Sequence, residues 1–128
     1  MKLILDTCSL LWWWAEPEKL SLRCSSLIQD SANAIWISAG SAWEISTKYR
    51  IGKFPIGARI ISQWEERLSE DGFRKLPISC AHALRAGSLP GNHRDPFDRI
   101  IAAQAIMESF CVATPDRAIS SLGAECAW

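Results

Sequence analysis

The sequence predicts an α/β protein with a mostly parallel sheet, because short apolar runs alternate with longer helical segments along the chain. The apolar runs are continuous rather than alternating, which is typical of strands buried on both faces. They lie at residues 3–5, 35–37, 76–78, 110–114 and 124–128. With 128 residues and 48% hydrophobic content, we expect a single domain over residues 1–128 with a substantial core.

Helical spacing and capping signals fill the segments between the strands. Helices are expected at residues 10–14, 17–28, 41–51, 60–71, 79–87 and 95–109, with a short one after residue 116. Asp6 follows the first strand and is placed to cap the first helix, whereas Ser41 and Glu44 fit a capping box. Gly52 and the Asp71-Gly72 pair are typical helix ends. We find no internal repeat, linker or low-complexity tract.

Charge and hydropathy exclude several broad classes. Fourteen basic residues balance fourteen acidic ones, which argues against broad, non-specific nucleic-acid binding but leaves room for a local basic patch. No apolar run approaches the roughly 18 residues that a membrane span needs. The N-terminus has no hydrophobic signal region, so we expect a cytoplasmic protein without membrane association.

Cysteine and tryptophan usage adds two expectations. The five cysteines are odd in number, widely spaced and free of CxxC pairs, so a disulfide framework or a zinc site is not expected. We interpret them as small buried apolar residues. Seven tryptophans are many for this length; some belong to the core, and a surplus is typical of an aromatic-rich partner interface.

The stretch from residue 92 to 99, Asn-His-Arg-Asp-Pro-Phe-Asp-Arg, carries the strongest local signal. Asp95 is placed as a helix N-cap and Pro96 as the first helical residue. Asp98 falls in the first turn, where the helix dipole favours a carboxylate. The structural alternative is that Asp98 is only the capping-box acid of this helix.

Three further acids fall at or soon after predicted strand ends. Asp6 follows the first strand, Asp116 follows the fourth by one proline, and Glu44 lies near the start of the helix after the second. The carboxyl ends of parallel strands share one edge, where ligands bind in open α/β sheets. Asp98 precedes the fourth strand on its helix, and its helix start is expected at that same edge.

Convergence of these four acids would demand a cation. Each acid alone is explained by helix capping. At about 4 Å, two like charges repel by about 4 kcal/mol at an effective dielectric near 20. An all-oxygen ligand set favours Mg²⁺ or Mn²⁺. Such an ion supports phosphodiester hydrolysis by activating water, and no glycine-rich phosphate loop points to nucleotide-triphosphate chemistry.

Other polar residues around these acids are less specific. Some basic side chains could hold a phosphate backbone, or equally lie solvated or pair within the molecule; they are Lys48, Arg50, Lys53, Arg94, Arg99 and Arg117. Hydroxyls that could orient the carboxylates, or equally cap turns, are Thr7, Ser9 and Thr114. We interpret His82 and His93 as structural, because neither has an obvious nucleophile partner.

Taken in order, these pieces resemble the PIN-domain proteins, and more narrowly the VapC-type toxins of toxin–antitoxin pairs. The resemblance covers nearly the whole chain. Its pieces are Leu5-Asp6-Thr7 with Leu11-Trp12-Trp13, Ser41-Ala42-Trp43-Glu44-Ile45 with Lys48, Gly52-Lys53, Leu76-Pro77-Ile78, His82-Ala83 with Ala86-Gly87, Leu89-Pro90, His93 to Arg99 with Ala103-Gln104-Ala105, and Thr114 with Asp116. The stretch from His93 to Arg99 is its specific part.

The resemblance implies a PIN-like, Rossmann-like three-layer fold with about five mostly parallel strands flanked by helices. It implies an endoribonuclease dependent on Mg²⁺ or Mn²⁺, in which Asp6 and Asp98 are primary metal ligands. Glu44 and Asp116 would complete the acidic site or bind through water, and Asp95 is assigned to capping. It further implies an RNA substrate, a homodimer, and an antitoxin that covers the active site.

Two other functions remain open on the sequence. One is a PIN-like binding module that pairs with a partner or with RNA and does no chemistry. The other is a Mg²⁺-dependent hydrolase of small phosphoesters. Lack of toxicity on expression without a partner would favour the binding module, and turnover of small phosphoesters would favour the hydrolase.

Overall fold

A computed structural model describes all residues from 1 to 128, and its centre is a five-stranded sheet in which every pairing is parallel. The strands are β1 (Lys2–Leu5), β2 (Ala34–Ser38), β3 (Arg74–Leu76), β4 (Cys111–Ala113) and β5 (Cys126–Ala127). Their spatial order is β3-β2-β1-β4-β5. The expected α/β class and the parallel sheet are therefore confirmed.

Eight α-helices flank this sheet. They are α1 (Thr7–Ala15), α2 (Leu22–Gln29), α3 (Ala39–Arg50), α4 (Gly57–Ser62), α5 (Trp64–Asp71), α6 (Cys80–Ser88), α7 (Pro96–Glu108) and α8 (Arg117–Ser121). A single 3₁₀ turn, Pro17–Lys19, lies between α1 and α2. None of the helices combines the length and apolarity needed to cross a bilayer.

The chain order around β1 creates the point where a ligand can bind. From β1 the chain moves outward to β2 and β3, then returns to the other side for β4 and β5. Leu3 of β1 pairs with Ile35 of β2 on one side and with Cys111 of β4 on the other. Such a reversal of strand order opens a crevice beyond the carboxyl ends of the strands.

Residues of β1 point alternately into two separate apolar cores. Leu3 and Leu5 belong to a core formed with residues of α1 to α5. Ile4 belongs to the second core, formed with residues of α6, α7 and α8. After the exposed Lys2, both faces of β1 are buried, so the sequence from Leu3 to Leu5 is apolar without polar alternation. The three-layer arrangement follows from this division.

Several element boundaries differ from expectation. The helix predicted over 60–71 is two helices that meet at Gln63. Pro17 opens only the 3₁₀ turn, and α2 begins after Ser21, whose side chain accepts from the Cys24 N–H. The third strand ends before Pro77, which has no N–H to donate to a ladder.

The capping box predicted for Ser41 and Glu44 is wrong. Helix α3 begins directly after β2, and Ser38 is its N-cap, accepting from the Gly40 N–H at 2.9 Å. Ser41 and Glu44 therefore lie within the helix, and the Glu44 side chain is available for other contacts.

All five cysteines are free, as the sequence predicts. Their burial is mixed: Cys24 and Cys111 are buried, whereas Cys8 and Cys80 are exposed. The expectation of buried cysteines is thus wrong for these two, which lie in the first turns of α1 and α6, and Cys126 is only partly buried.

Candidate active site

The four acids singled out in the sequence line one cavity of about 170 Å³ at the carboxyl end of the sheet. Most of the residues that line the cavity are polar or charged, and Asp95 adds a fifth carboxylate to it. Its lining residues are Asp6, Thr7, Cys8, Trp12, Glu44, Lys48, Asp95, Asp98, Pro115 and Asp116. Four separate segments of the chain therefore contribute acids to one place.

Asp6 is buried at the end of β1, with only 5% of its surface exposed. Its Oδ1 accepts a hydrogen bond from the Ser9 N–H at 2.8 Å, which caps α1. Its Oδ2 accepts from the hydroxyl of Thr114. Burial raises the pKa of Asp6 despite these two hydrogen bonds, so the ionised carboxylate is unfavourable here without a cation.

Glu44 is also buried, in the second turn of α3. Its Oε2 accepts from Nζ of Lys48, one helical turn later, at 2.5 Å. Its Oε1 is buried and has no hydrogen-bond partner. An unpartnered buried carboxylate oxygen is costly, which indicates that a further positive group belongs at this position.

Asp98 lies in the first turn of α7 and is partly buried, with 17% of its side chain exposed. Its Oδ2 is hydrogen-bonded to Nε2 of His93 at 2.9 Å. Burial raises the pKa of Asp98 to about 6. The negative charge of Asp95 acts in the same direction, whereas the hydrogen bond with His93 lowers it.

Asp95 caps α7 by accepting from the backbone N–H groups of Phe97 and Asp98. Asp98 does not reach back to the N-cap, so the capping-box alternative for it is not realised. The ligand atoms of His93, Asp95 and Asp98 all lie within 4.8 Å of one another.

Asp116 is exposed at the mouth of the cavity. One oxygen accepts from the Ala118 N–H at 2.8 Å and caps α8. Its own N–H donates to the hydroxyl of Thr114 at 3.0 Å, which ties the start of α8 to the end of β4. The charge of Asp116 contributes to the raised pKa values of Asp6 and Asp98.

Lys48 is the basic residue among those that line the cavity. Although burial lowers the pKa of Lys48, its hydrogen bond and ion pair with Glu44 raise it overall. Burial likewise raises the pKa of the Cys8 thiol to about 11, with the charges of Asp6 and Glu44 adding to the effect. The thiol is therefore a neutral wall of the cavity and not a nucleophile.

This donor set fits a hard divalent cation. Carboxylate oxygens dominate, one buried oxygen of Glu44 lacks a partner, and burial raises the pKa of two neighbouring acids. A divalent cation would satisfy the unpartnered oxygen and favour ionisation of both acids. The imidazole of His93 adds a borderline ligand, which Mn²⁺ accepts more readily than Mg²⁺.

The hydroxyl residues predicted from sequence to support the acids differ in what they contact. Thr114 contacts Asp6 directly, and Thr7 donates to the hydroxyl of Ser41 at 3.0 Å. Ser9 acts through its backbone N–H, since its hydroxyl donates instead to the carbonyl of Ala113.

Arg99 follows the second interpretation considered for the basic residues, which is pairing within the molecule. Its guanidinium donates to the backbone carbonyls of Ala86, Leu89 and His93. These bonds fasten the loop between α6 and α7 to the start of α7. Arg99 is absent from the cavity lining because its donors point into this loop.

His93 is the residue whose place sequence reasoning missed. It lies in the loop before α7, two residues ahead of the cap, and its ring turns back to Asp98. The His-x-Asp-x-x-Asp spacing is the only signal in the sequence that could have suggested this contact. Such spacing is common by chance, and the turn of the loop decides the direction of the ring.

Sequence comparison identifies a matching family model and two similar proteins. A model of the PIN domain family matches residues 3–125. Ribonuclease VapC22 of Mycobacterium tuberculosis is 31% identical over 119 residues, which span 92% of this chain and 89% of that protein. Ribonuclease VapC16 of the same organism is 36% identical over 73 residues, or 56% of this chain and 52% of that protein.

Solved structures share the fold over nearly the full length. A chain in the structure of VapBC2 from Rickettsia felis, bound to a DNA fragment from their promoter, matches with a TM-score of 0.72 and 19% identity, covering 99% of this chain and 98% of that one. A chain of VapBC-1 from nontypeable Haemophilus influenzae matches with a TM-score of 0.67 and 18% identity, covering 99% and 97%. The matched family model, the full-length relative and the shared fold agree, and this chain belongs to the PIN domain family.

Proposed function

We propose that this protein is a metal-dependent endoribonuclease and the toxin of a VapBC-type toxin–antitoxin pair. The observation that carries the proposal is the polar cavity in which five carboxylates meet and a buried oxygen of Glu44 has no partner. Similarity to Ribonuclease VapC22 over 92% of the chain supports RNA as the substrate.

Each acid has a stated part in the proposal. Asp6 and Asp98 are the primary ligands of Mg²⁺ or Mn²⁺, and Glu44 offers its free Oε1. Asp116, at the mouth, completes the site directly or through a water. When bound, the ion supplies an activated water and stabilises charge at the phosphodiester.

The chain itself orients these groups. Thr114 and the N–H of Ser9 fix both oxygens of Asp6. Lys48 holds one oxygen of Glu44 and keeps nearly half of its own side chain exposed. It can therefore also approach a phosphate oxygen at the mouth of the cavity.

RNA cleavage with and without a divalent ion tests the proposal. We expect cleavage of a structured RNA in Mg²⁺ or Mn²⁺, none in EDTA, and loss of cleavage in Asp6→Asn and Asp98→Asn. Isothermal titration of Mn²⁺ should show binding to the wild type that weakens in both variants. Full cleavage in EDTA, or turnover of small phosphoesters without RNA cleavage, would reject the nuclease.

We further propose a cytoplasmic homodimer neutralised by an antitoxin that covers the acidic cavity. The VapBC2 and FitAB structures, which contain chains similar to this one, are bound to DNA fragments. This chain has zero net charge, which does not favour binding of DNA by the chain itself. That contrast supports a separate DNA-binding partner. A small DNA-binding protein encoded directly upstream should suppress toxicity on co-expression, and sedimentation should report a dimer; toxicity that no such protein suppresses would reject the pairing.

A further inference from the structure

Trp43 is the one tryptophan of the seven whose surface is mostly exposed, at 53%. The other six are half-buried, and five of them pack against the core that contains Leu10. The Trp43 ring meets the Phe97 ring edge-on, with centroids 4.7 Å apart and planes at 77°. A single exposed apolar side chain needs no explanation, but this one packs against an aromatic neighbour beside the acidic cavity.

Both aromatic residues directly precede acids of the cavity. Trp43 comes before Glu44 on α3, and Phe97 comes before Asp98 on α7. Successive helical residues point about 100° apart, so the acids face the cavity while the aromatic rings lie beside it. Neither Trp43 nor Phe97 lines the acidic cavity itself.

A second crevice, of about 210 Å³, opens at Trp43. Its walls are almost entirely apolar, with small residues of α6 along one side. The lining residues are Trp43, Ala83, Ala86, Gly87, Pro96, Arg99 and Ile100. A Cβ atom built at Gly87 would meet nothing within 4 Å, so the crevice is open above this glycine.

The chemistry of this crevice suits stacking better than hydrogen-bonded recognition. Three of the five N–H groups of Arg99 donate to backbone carbonyls, so only two remain for hydrogen bonds with a ligand in the crevice. An exposed aromatic face with a nearby cation is a typical platform for an unpaired base. Stacking of this kind tolerates any of the four bases.

We propose that Trp43 and its crevice receive an unpaired base of the RNA next to the scissile phosphate. The proposal rests on the ribonuclease function above, because Trp43 directly precedes Glu44 and Phe97 directly precedes Asp98, two acids of the site at which the RNA would be cleaved. When the RNA backbone enters the cavity, a flanking base loses stacking on its neighbours. Stacking on an aromatic side chain compensates for the stacking energy that is lost. Trp43 is thus a substrate-binding residue and not a catalytic one.

Steady-state cleavage by matched variants tests this placement. Trp43→Ala should raise KM by about tenfold with kcat within about twofold, which corresponds to the loss of one stacked base. Trp43→Phe should retain most of the affinity. Tyr49→Ala, which removes another exposed aromatic ring of α3 outside the crevice, should leave KM unchanged.

Filling the crevice supplies an independent test that leaves the indole in place. Gly87→Val should raise KM by a similar factor, because its branched side chain extends into the open space, whereas Gly87→Ala should have a small effect. Thermal unfolding by circular dichroism shows that each variant is folded. An unchanged KM in both Trp43→Ala and Gly87→Val would overturn the proposal.

Binding of an oligonucleotide separates this proposal from the ribonuclease function. The Asp98→Asn variant is titrated with single-stranded RNA carrying 2-aminopurine, whose fluorescence falls on stacking. Quenching that is lost with Trp43→Ala supports the platform even if the wild type cleaves no RNA. No quenching, or conversion of a dimer to a monomer by Trp43→Ala with activity restored at high protein concentration, overturns it in favour of a contact between copies.

Discussion

The hydroxyl of Thr114 donates a hydrogen bond to Oδ2 of Asp6, across 108 residues of sequence. The same hydroxyl accepts from the N–H of Asp116. One side chain at the end of β4 therefore orients the buried acid at the end of β1 and positions the start of α8.

Replacing Thr114 by valine should lower the free energy of unfolding by about 1–3 kcal/mol, because two polar groups lose their partner. We expect RNA cleavage to fall as well, since Asp6 loses the contact that fixes its second oxygen. Denaturant unfolding and cleavage rates check both effects. Thr114→Ser keeps the hydroxyl and is the control; equal behaviour of the two variants would contradict the role assigned to Thr114.

The stability of the metal-free protein should depend on pH through Asp98. Its pKa is about 6 in the folded protein because of burial, against an ordinary value of 3.8. The folded state thus holds this proton more tightly, and the stabilisation is complete below about pH 4 and is lost as the pH rises through 6. Asp6, whose pKa is also raised by burial, acts in the same direction.

Thermal unfolding in EDTA between pH 4 and 8 measures this effect as a difference between wild type and Asp98→Asn. The variant cannot ionise at this position, so its Tm should exceed that of the wild type at pH 7.5, and the gap should close towards pH 4. Mn²⁺ should raise the Tm of the wild type at pH 7.5 and have less effect on the variant. A gap that widens towards low pH would contradict the assignment.

The contact between His93 and Asp98 should be visible as a change in the pKa of that carboxyl. The hydrogen bond at 2.9 Å favours the ionised form, so His93→Ala should raise the pKa of Asp98 above its wild-type value of about 6. An NMR titration of the carboxyl carbon in the metal-free protein measures it. His93→Gln keeps a donor at this position and should shift the pKa less; a lower value in His93→Ala would disprove the contact.

Arg99 should stabilise the fold through the shape of its guanidinium as well as through its charge. Lysine cannot reproduce the planar fork that reaches three backbone carbonyls. We expect Arg99→Lys to lower the free energy of unfolding by about 2–4 kcal/mol. Arg94 is exposed, with no hydrogen bond or ion pair from its side chain, so Arg94→Lys is a matched control expected to stay within about 0.5 kcal/mol. Comparable losses in the two variants would contradict this account.

Local sequence rules were sufficient for the secondary structure that carries the acids. Asp6, Asp95 and Asp116 each cap a helix by accepting from an N–H two or three residues later. Such contacts depend only on neighbouring residues, so residue type and position predict them. The apolar run of β1 likewise predicts a strand buried on both faces.

The predicted boundaries of helices and strands were wrong where two local signals competed. Pro77 lies within an apolar run, yet it has no N–H to donate, and β3 ends at Leu76, two residues before the predicted end at residue 78. Ser41 and Glu44 have capping-box spacing, yet Ser38 caps α3 because β2 leads directly into the helix. In each case the partner strand or the preceding turn decides, and neither is visible in a short window of sequence.

By itself the sequence determined the class of fold, the parallel strands and the helix starts at which acids stand, because these depend on apolar periodicity and on contacts within a turn. Only the tertiary structure decided that His93 turns to Asp98, that Arg99 holds a loop, and that Trp43 lies against Phe97. The order of strands around β1 brings distant residues together, and no interaction between sequence neighbours specifies that order.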